Sequence, residues 1–213
     1  MNRSQRLIEL YHLLLNHFGP QGWWPAKTSF EVCVGAILTQ NTNWQNVEKA
    51  IANLRRQDLL DPEALWRVPT DHLAHLIRPA GYYNLKARRL KNFLEFVMEG
   101  WQGDLEAMFA EGLSLRPRLL AVSGIGPETA DSILLYAGHL PIFVVDAYTK
   151  RILHRHLLVP EEAGYQEIQD FFMENLPEDV QLYQEYHALL VALGKNFCLK
   201  GRPRCPQCPA KGW

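Results

Sequence analysis

The chain has 213 residues, of which 47% are hydrophobic and 21% charged, enough for one large or two modest domains with a real core. No segment carries the run of about eighteen apolar residues that a membrane span needs. Arg3, Arg6 and Glu9 lie among the first leucines, which argues against a signal peptide, so a cytoplasmic location is expected, nucleoid-associated if the source is bacterial. The net charge of −1 does not advertise a nucleic-acid binder. Its distribution says more: an acidic stretch from Glu161 to Glu185 is followed by Lys195, Lys200, Arg202, Arg204 and Lys211 with no acidic neighbour.

Taken in chain order, the pattern is helical almost throughout. Leu7, Ile8, Leu10, Leu14 and Phe18 predict a first helix stopped by Gly19-Pro20. Thr28 followed by Glu31 fits a capping box opening a helix over Phe30 to Leu38. After the polar break Gln40-Asn41-Thr42-Asn43, a helix is predicted from Trp44 to Leu54. Asp61-Pro62-Glu63 starts a short helix, and Thr70 is expected to cap another through Ile77. Arg78-Pro79-Ala80-Gly81 breaks the chain before a long amphipathic helix from Tyr83 to Met98. Further helices are predicted over Ala147 to His156, Tyr165 to Glu174 and Leu182 to Leu193. Only Ile142 to Val145 reads as a strand, too short to need a sheet. Helices without sheet partners pack on one another, so the expected class is all-α.

The stretch from Val122 to Asp146 organises the rest. Leu113 to Val122 has helical apolar spacing, and Gly124 and Gly126 bracket Ile125 in a tight turn. Pro127 then opens a second helix, with Glu128 in its positive first turn. Such a turn serves equally to link two helices or to offer backbone N–H groups to a phosphodiester. Asp146 follows the apolar run Ile142-Phe143-Val144-Val145. A carboxylate there is a helix N-cap or a poised acid/base group, and the two roles are compatible.

Three of the four cysteines, Cys198, Cys205 and Cys208, have the spacing of metal ligands rather than of a disulfide. Zinc is the generic partner of clustered thiolates. Cys33, among Val32, Val34 and Ile37, reads as core.

Hairpin, second helix and V-V-D together resemble the helix-hairpin-helix DNA glycosylases of the endonuclease III family, the HhH-GPD superfamily, and the likeness runs from Trp23 to the last cysteine. The resemblance implies two helical lobes: residues 27–140, holding the hairpin at about 114–137, and residues 1–26 with 141–213, carrying a cysteine loop at 198–213. It implies duplex DNA with a damaged base as partner, bound by a monomer, and assigns the catalytic carboxylate to Asp146. The family's cysteine loop binds a 4Fe–4S cluster through spacings of six, two and five, and the first two match here. The fourth cysteine would fall at position 214, one past the end of the given chain. Lys200, Arg202 and Arg204 on that loop would face the phosphate backbone.

A glycosylase extrudes its target base and cleaves through an oxocarbenium-like state, which a carboxylate stabilises while taking a proton from water. Bifunctional members carry a lysine four residues after the first hairpin glycine, where this chain has Glu128. A carboxylate forms no imine, so a monofunctional enzyme with little or no lyase activity is expected, with Glu128 a second candidate for activating water. Lys150 and Lys195 lie elsewhere and read as surface lysines. Trp23-Trp24-Pro25 and Trp44, in L-T-Q-N-T-N-W, serve as ordinary core or as base-pocket walls. W-W-P followed by L-T-Q-N-T and an aromatic is similar to the 3-methyladenine glycosylase III branch, and electron-rich indoles suit a cationic base. By the same resemblance Gln40 fills the hole left by the extruded base, Tyr82 is the wedge in the stack, and Gly124, Ile125 and Gly126 meet the DNA. Lys86, Arg88 and Arg89 are candidate phosphate contacts or a solvated helix face. Two other readings stay open: a monofunctional uracil or thymine mismatch glycosylase, and a non-catalytic protein that binds damaged DNA.

Overall fold

The computed structural model describes residues 2–213, and among these the regular structure is helical with no strand. No helix among the described residues is long and apolar enough to cross a membrane. The chain divides into two compact units, Met1–Pro25 with Pro141–Trp213, and Ala26–Leu140.

The first unit opens with α1 (Arg3–Phe18), which buries Leu7, Leu10 and Leu14 as its periodicity predicts. Asn2 and Gln5 close a capping box ahead of it, and Gly19, at φ 71, ends it.

The second unit begins with α2 (Ser29–Leu38). Thr28 caps it by accepting from the Glu31 N–H at 3.2 Å. The reciprocal half of the expected capping box is absent, because the Glu31 carboxylate accepts from the Lys27 N–H and pairs with Arg55 on the next helix. A buried acid takes the stronger, charged partner. Helices α3 (Trp44–Arg55) and α4 (Pro62–Arg67) are capped by Asn43 and Asp61. Helix α5 (Thr70–Leu76) differs from expectation: Pro69 holds the cap position, and Thr70 is already the first helical residue. A 3₁₀ turn over Arg78–Ala80 precedes α6 (Tyr83–Trp101). A short α7 (Leu105–Phe109), capped by Asp104, has no counterpart in the sequence reading. The hairpin helices are α8 (Leu115–Ala121) and α9 (Pro127–Ser132), the second running on into a π-helical stretch, Ile133–Ala137.

The chain then returns to the first unit along Ile142 to Val145, all four buried. The segment is not the strand the sequence suggests, since no strand pairs with it. Side chains serve its backbone instead: Gln169 donates to the Phe143 carbonyl at 2.6 Å, and the Val145 N–H lies 3.4 Å from the Tyr165 hydroxyl. Phe143 stacks on Phe172 at 3.9 Å and meets Tyr183 and Tyr186 edge-on. Helices α10 (Ala147–Arg155), α11 (Tyr165–Met173) and α12 (Val180–Asn196) complete this core. The Tyr186 hydroxyl donates to the Leu7 carbonyl at 2.8 Å, fastening α12 to α1.

Candidate active site

Asp146 sits where the buried segment ends and α10 begins. As N-cap, its Oδ1 accepts from the Thr149 N–H at 2.7 Å and from the Thr149 hydroxyl at 2.9 Å. Its side chain is 10% exposed, and Oδ2 lies 3.8 Å from Nε2 of His187 on α12. Burial lowers the His187 pKa, Lys195 pushes the same way, and the Asp146 charge opposes both. The imidazole is therefore neutral at neutral pH. The two carboxylate oxygens are differentiated, Oδ1 committed to the helix end and Oδ2 turned toward His187. Sequence reading missed His187, whose distance from Asp146 along the chain leaves no local signal.

The hairpin is built tightly within the second unit. Gly124 has φ 95, and a Cβ there would meet the Arg89 side chain at 2.3 Å. Glycine is required twice over, by conformation and by space. Gly126 has an ordinary φ of −93 and open space where a Cβ would go. Gly124→Ala is therefore expected to cost about 1–3 kcal/mol of stability, read as a lowered denaturant midpoint. Gly126→Ala should cost less than about 1 kcal/mol. Ile125 has a buried side chain, and its N–H donates to the Val122 carbonyl at 3.0 Å.

Gln40 is wired into the hairpin. Its Nε2 donates to the Gly124 carbonyl at 3.1 Å and to the Thr129 hydroxyl at 2.9 Å, and its Oε1 accepts from Arg89. Arg89 thus braces Gln40 and packs over Gly124 rather than reaching outward. Lys86 is also not the phosphate contact considered from sequence. It is buried, and its Nζ donates to the carbonyls of Leu38 at 2.8 Å and Ala80 at 2.7 Å. Burial, with a smaller push from Arg89, lowers its pKa to about 8, which leaves it charged at neutral pH. The ammonium pins the end of α2 and the 3₁₀ turn that precedes Tyr82. Tyr82 itself is 70% exposed, in left-handed conformation at the head of α6. Arg88 is exposed.

Glu128 is exposed in the first turn of α9. The pocket candidates divide between the units: Trp23, Trp24 and Pro25 belong to the first, Trp44 at the head of α3 to the second. Trp23 and Trp24 have ring centroids 5.1 Å apart at 46°. A base held between two rings needs about 7 Å, twice the contact distance of about 3.5 Å. These two indoles pack against each other and do not sandwich a base between themselves.

In the cysteine loop Lys200, Arg202 and Arg204 are exposed. The loop is shaped by α10, which sequence reading did not foresee. Arg151 donates to the Cys198 carbonyl at 2.8 Å, and Arg155 to those of Leu199 and Lys200 at 2.7 and 2.9 Å. Arg155 also donates to Cys198 Sγ at 3.3 Å. Burial raises the Cys208 thiol, and the charges of Cys198 and Cys205 add to the rise. All four cysteines are free thiols, and among the described residues no three His, Cys, Asp or Glu side chains are gathered to hold a metal ion. Cys33 is buried, and burial pushes its thiol well up, as a core residue. Lys150 donates to the Ala163 carbonyl at 2.7 Å, while Lys195 is exposed.

The family of HhH-GPD superfamily base excision DNA repair proteins matches residues 34–178. A protein of Methanocaldococcus jannaschii, named provisionally as a DNA repair glycosylase, is 51% identical over 99% of this chain and 96% of its own. Among solved structures, the H. pylori 3-methyladenine DNA glycosylase MagIII bound to 1,N6-ethenoadenine aligns with TM-score 0.78 and 31% identity over 92% of this chain and 98% of that one. A trapped covalent intermediate of endonuclease III with DNA aligns with TM-score 0.82 and 20% identity, over 98% of this chain and 94% of that one, a likeness of fold.

Proposed function

The chain belongs to the HhH-GPD superfamily of base excision DNA repair proteins, of endonuclease III-like type, and from that premise we propose a monofunctional glycosylase that releases an alkylated purine from duplex DNA. The observation that carries the proposal is Asp146, a nearly buried carboxylate with one oxygen fixed by Thr149 and the other uncommitted to the helix cap. As the glycosidic bond breaks, its electron pair leaves with the base and positive charge develops on the sugar. The carboxylate stabilises that charge, and water then adds to the anomeric carbon and yields a proton to Asp146.

The expectation of no lyase step rests on Glu128, which stands at the position of the family's Schiff-base lysine. The alkylpurine class is supported by the 31% identity to the H. pylori enzyme and by the indole faces of Trp23, Trp24 and Trp44. A base methylated at ring nitrogen is cationic, so it both stacks well on indole and leaves readily as a neutral molecule. The hairpin supports DNA binding through Gly126. The fold has room for a side chain there, so a glycine serves close approach of a phosphate to the first N–H groups of α9. Tyr82, exposed on a braced turn, fits a wedge, and Gln40 fits the gap-filling role once its hairpin bonds exchange for contacts with DNA. Lys200, Arg202 and Arg204 supply a basic loop edge. Cys198, Cys205 and Cys208 offer the soft thiolate donors of a 4Fe–4S cluster, which would draw the loop together and takes no part in the hydrolysis.

Single-turnover incubation with duplex DNA carrying 3-methyladenine tests the reading. Released 3-methyladenine with unbroken abasic strands is the expected result. Retained base, together with tight binding to an abasic duplex, would remove the alkylpurine assignment and favour a uracil or thymine mismatch substrate.

A further inference from the structure

Asp146 does not act alone in its unit. Its Oδ1 is consumed by the Thr149 N–H and hydroxyl, which fixes the plane of the carboxylate. Oδ2 faces the imidazole of His187, 3.8 Å away, and the two side chains are 10% and 9% exposed. Both helices are held against relative movement. Gly194 on α12 lies so close to Tyr148 on α10 that a Cβ would meet its ring at 2.3 Å. Arg151 ties α10 to the Cys198 carbonyl just past the end of α12. A shift of less than an ångström converts 3.8 Å into a hydrogen bond.

We propose that His187 is a positioning residue for Asp146: its neutral imidazole aims Oδ2 at the reacting centre, and its protonation pairs with Oδ2 and withdraws the carboxylate from chemistry. The proposal rests on the reading of Asp146 as the catalytic carboxylate. Two charged groups set the balance at the imidazole: the Asp146 carboxylate at the head of α10, which favours the proton, and Lys195 on α12, which opposes it. Burial opposes it most, so His187 takes its proton only below the ordinary histidine range. The sign follows. Above that pH the imidazole is neutral and places no positive charge beside Oδ2. As pH falls, an imidazolium forms beside Oδ2, and part of the field that stabilises the sugar cation is cancelled.

The test uses the full chain and two readouts. Histidine NMR titration, with the His187 signal assigned by its loss in His187→Gln, is run on wild type and Asp146→Asn. The His187 pKa is expected to fall further in Asp146→Asn, where the charge favouring the proton is gone. An unchanged His187 titration would overturn the coupling, and this readout needs no substrate. The second readout is the single-turnover rate of 3-methyladenine release across pH 4.5–8, on the scale of the histidine range. Wild type is expected to lose rate on the acid side. His187→Gln, which keeps shape and hydrogen-bonding capacity without titrating, should retain the neutral rate within about threefold and carry its acid limb to lower pH. His187→Phe should lose about tenfold throughout while binding an abasic duplex as wild type does. Profiles of His187→Gln and wild type that superimpose would overturn the proposal. Undiminished release by Asp146→Asn would instead bring down the catalytic reading of Asp146, a distinct result.

Discussion

Asp146→Asn is expected to lower single-turnover base release by about 10²–10⁴-fold, the range that a positioned acid/base group contributes. The substitution isolates charge. Asparagine is as good an N-cap as aspartate, and its side-chain oxygen accepts from the Thr149 N–H in the same way, so α10 should form unchanged. Thermal stability is expected to stay within about 0.5 kcal/mol of wild type. Affinity for an abasic duplex should hold as well, since an amide neither repels phosphate nor alters the hairpin. Asp146→Ala makes the contrast: it loses the cap as well as the charge, and adds about 1 kcal/mol of destabilisation to the same catalytic loss. Release by Asp146→Asn within tenfold of wild type would mean that the sugar cation is stabilised elsewhere, and Glu128 would become the residue to test. A protein that binds damaged DNA without cleaving it would show no release in either form.

What could be read ahead of the structure was local. The cap at Thr28, the Asp61-Pro62 helix start, the polar break ahead of Trp44, the glycine-proline stop after Phe18 and the apolar faces of the long helices need only a few consecutive residues, and they predict helices to within one to three residues at most ends. The hairpin and the position of Asp146 were legible for the same reason. The misreadings share an opposite cause. Ile142 to Val145 has the composition of a strand, yet its backbone bonds are met by Gln169 and Tyr165 from α11. Lys86 and Arg89 look like solvated basic residues, yet they are consumed by Leu38 and Gln40 far along the chain, and Lys86 also by Ala80. Thr28 and Glu31 fit a capping box, yet Arg55 takes the carboxylate. In each case a buried polar group finds its partner through tertiary packing, and no local pattern announces which partner.

These polar contacts converge on the parts of the second unit that carry the candidate DNA-contacting residues. Lys86 holds the turn just before Tyr82, Gln40, braced by Arg89, holds the Gly124 carbonyl, and Thr129 on α9 receives another bond from the same Gln40 amide. The candidate wedge, gap-filler and phosphate-binding turn are therefore one connected piece rather than three loops. Pre-organisation of this kind reduces the ordering cost of binding a distorted duplex.

The hairpin's own integrity depends on one further pair, and its loss gives the largest expected effect on stability. Arg116, in the first turn of α8, donates from Nε to Asp131 Oδ1 at 2.7 Å and from Nη2 to Oδ2 at 3.0 Å. The arginine side chain is 21% exposed and the aspartate fully buried, so this is a bidentate bridge out of reach of most screening. It clamps α8 to α9 across the glycine turn. Arg116→Ala leaves a buried carboxylate without its main cation and is expected to cost about 3–5 kcal/mol. For a chain of this length that lowers Tm by roughly 6–20 °C. The double variant Arg116→Met with Asp131→Leu removes both charges and refills the space, and it should recover most of the loss, because two desolvated charges are replaced by apolar contact. If Arg116→Ala unfolds within about 1 kcal/mol of wild type, the pair is a surface contact in effect, and the hairpin is held by its apolar residues alone. If the double variant is stable while DNA affinity falls, the bridge serves the angle between α8 and α9 that aims the turn at a phosphate. That outcome would separate what the ion pair does for the fold from what it does for the site.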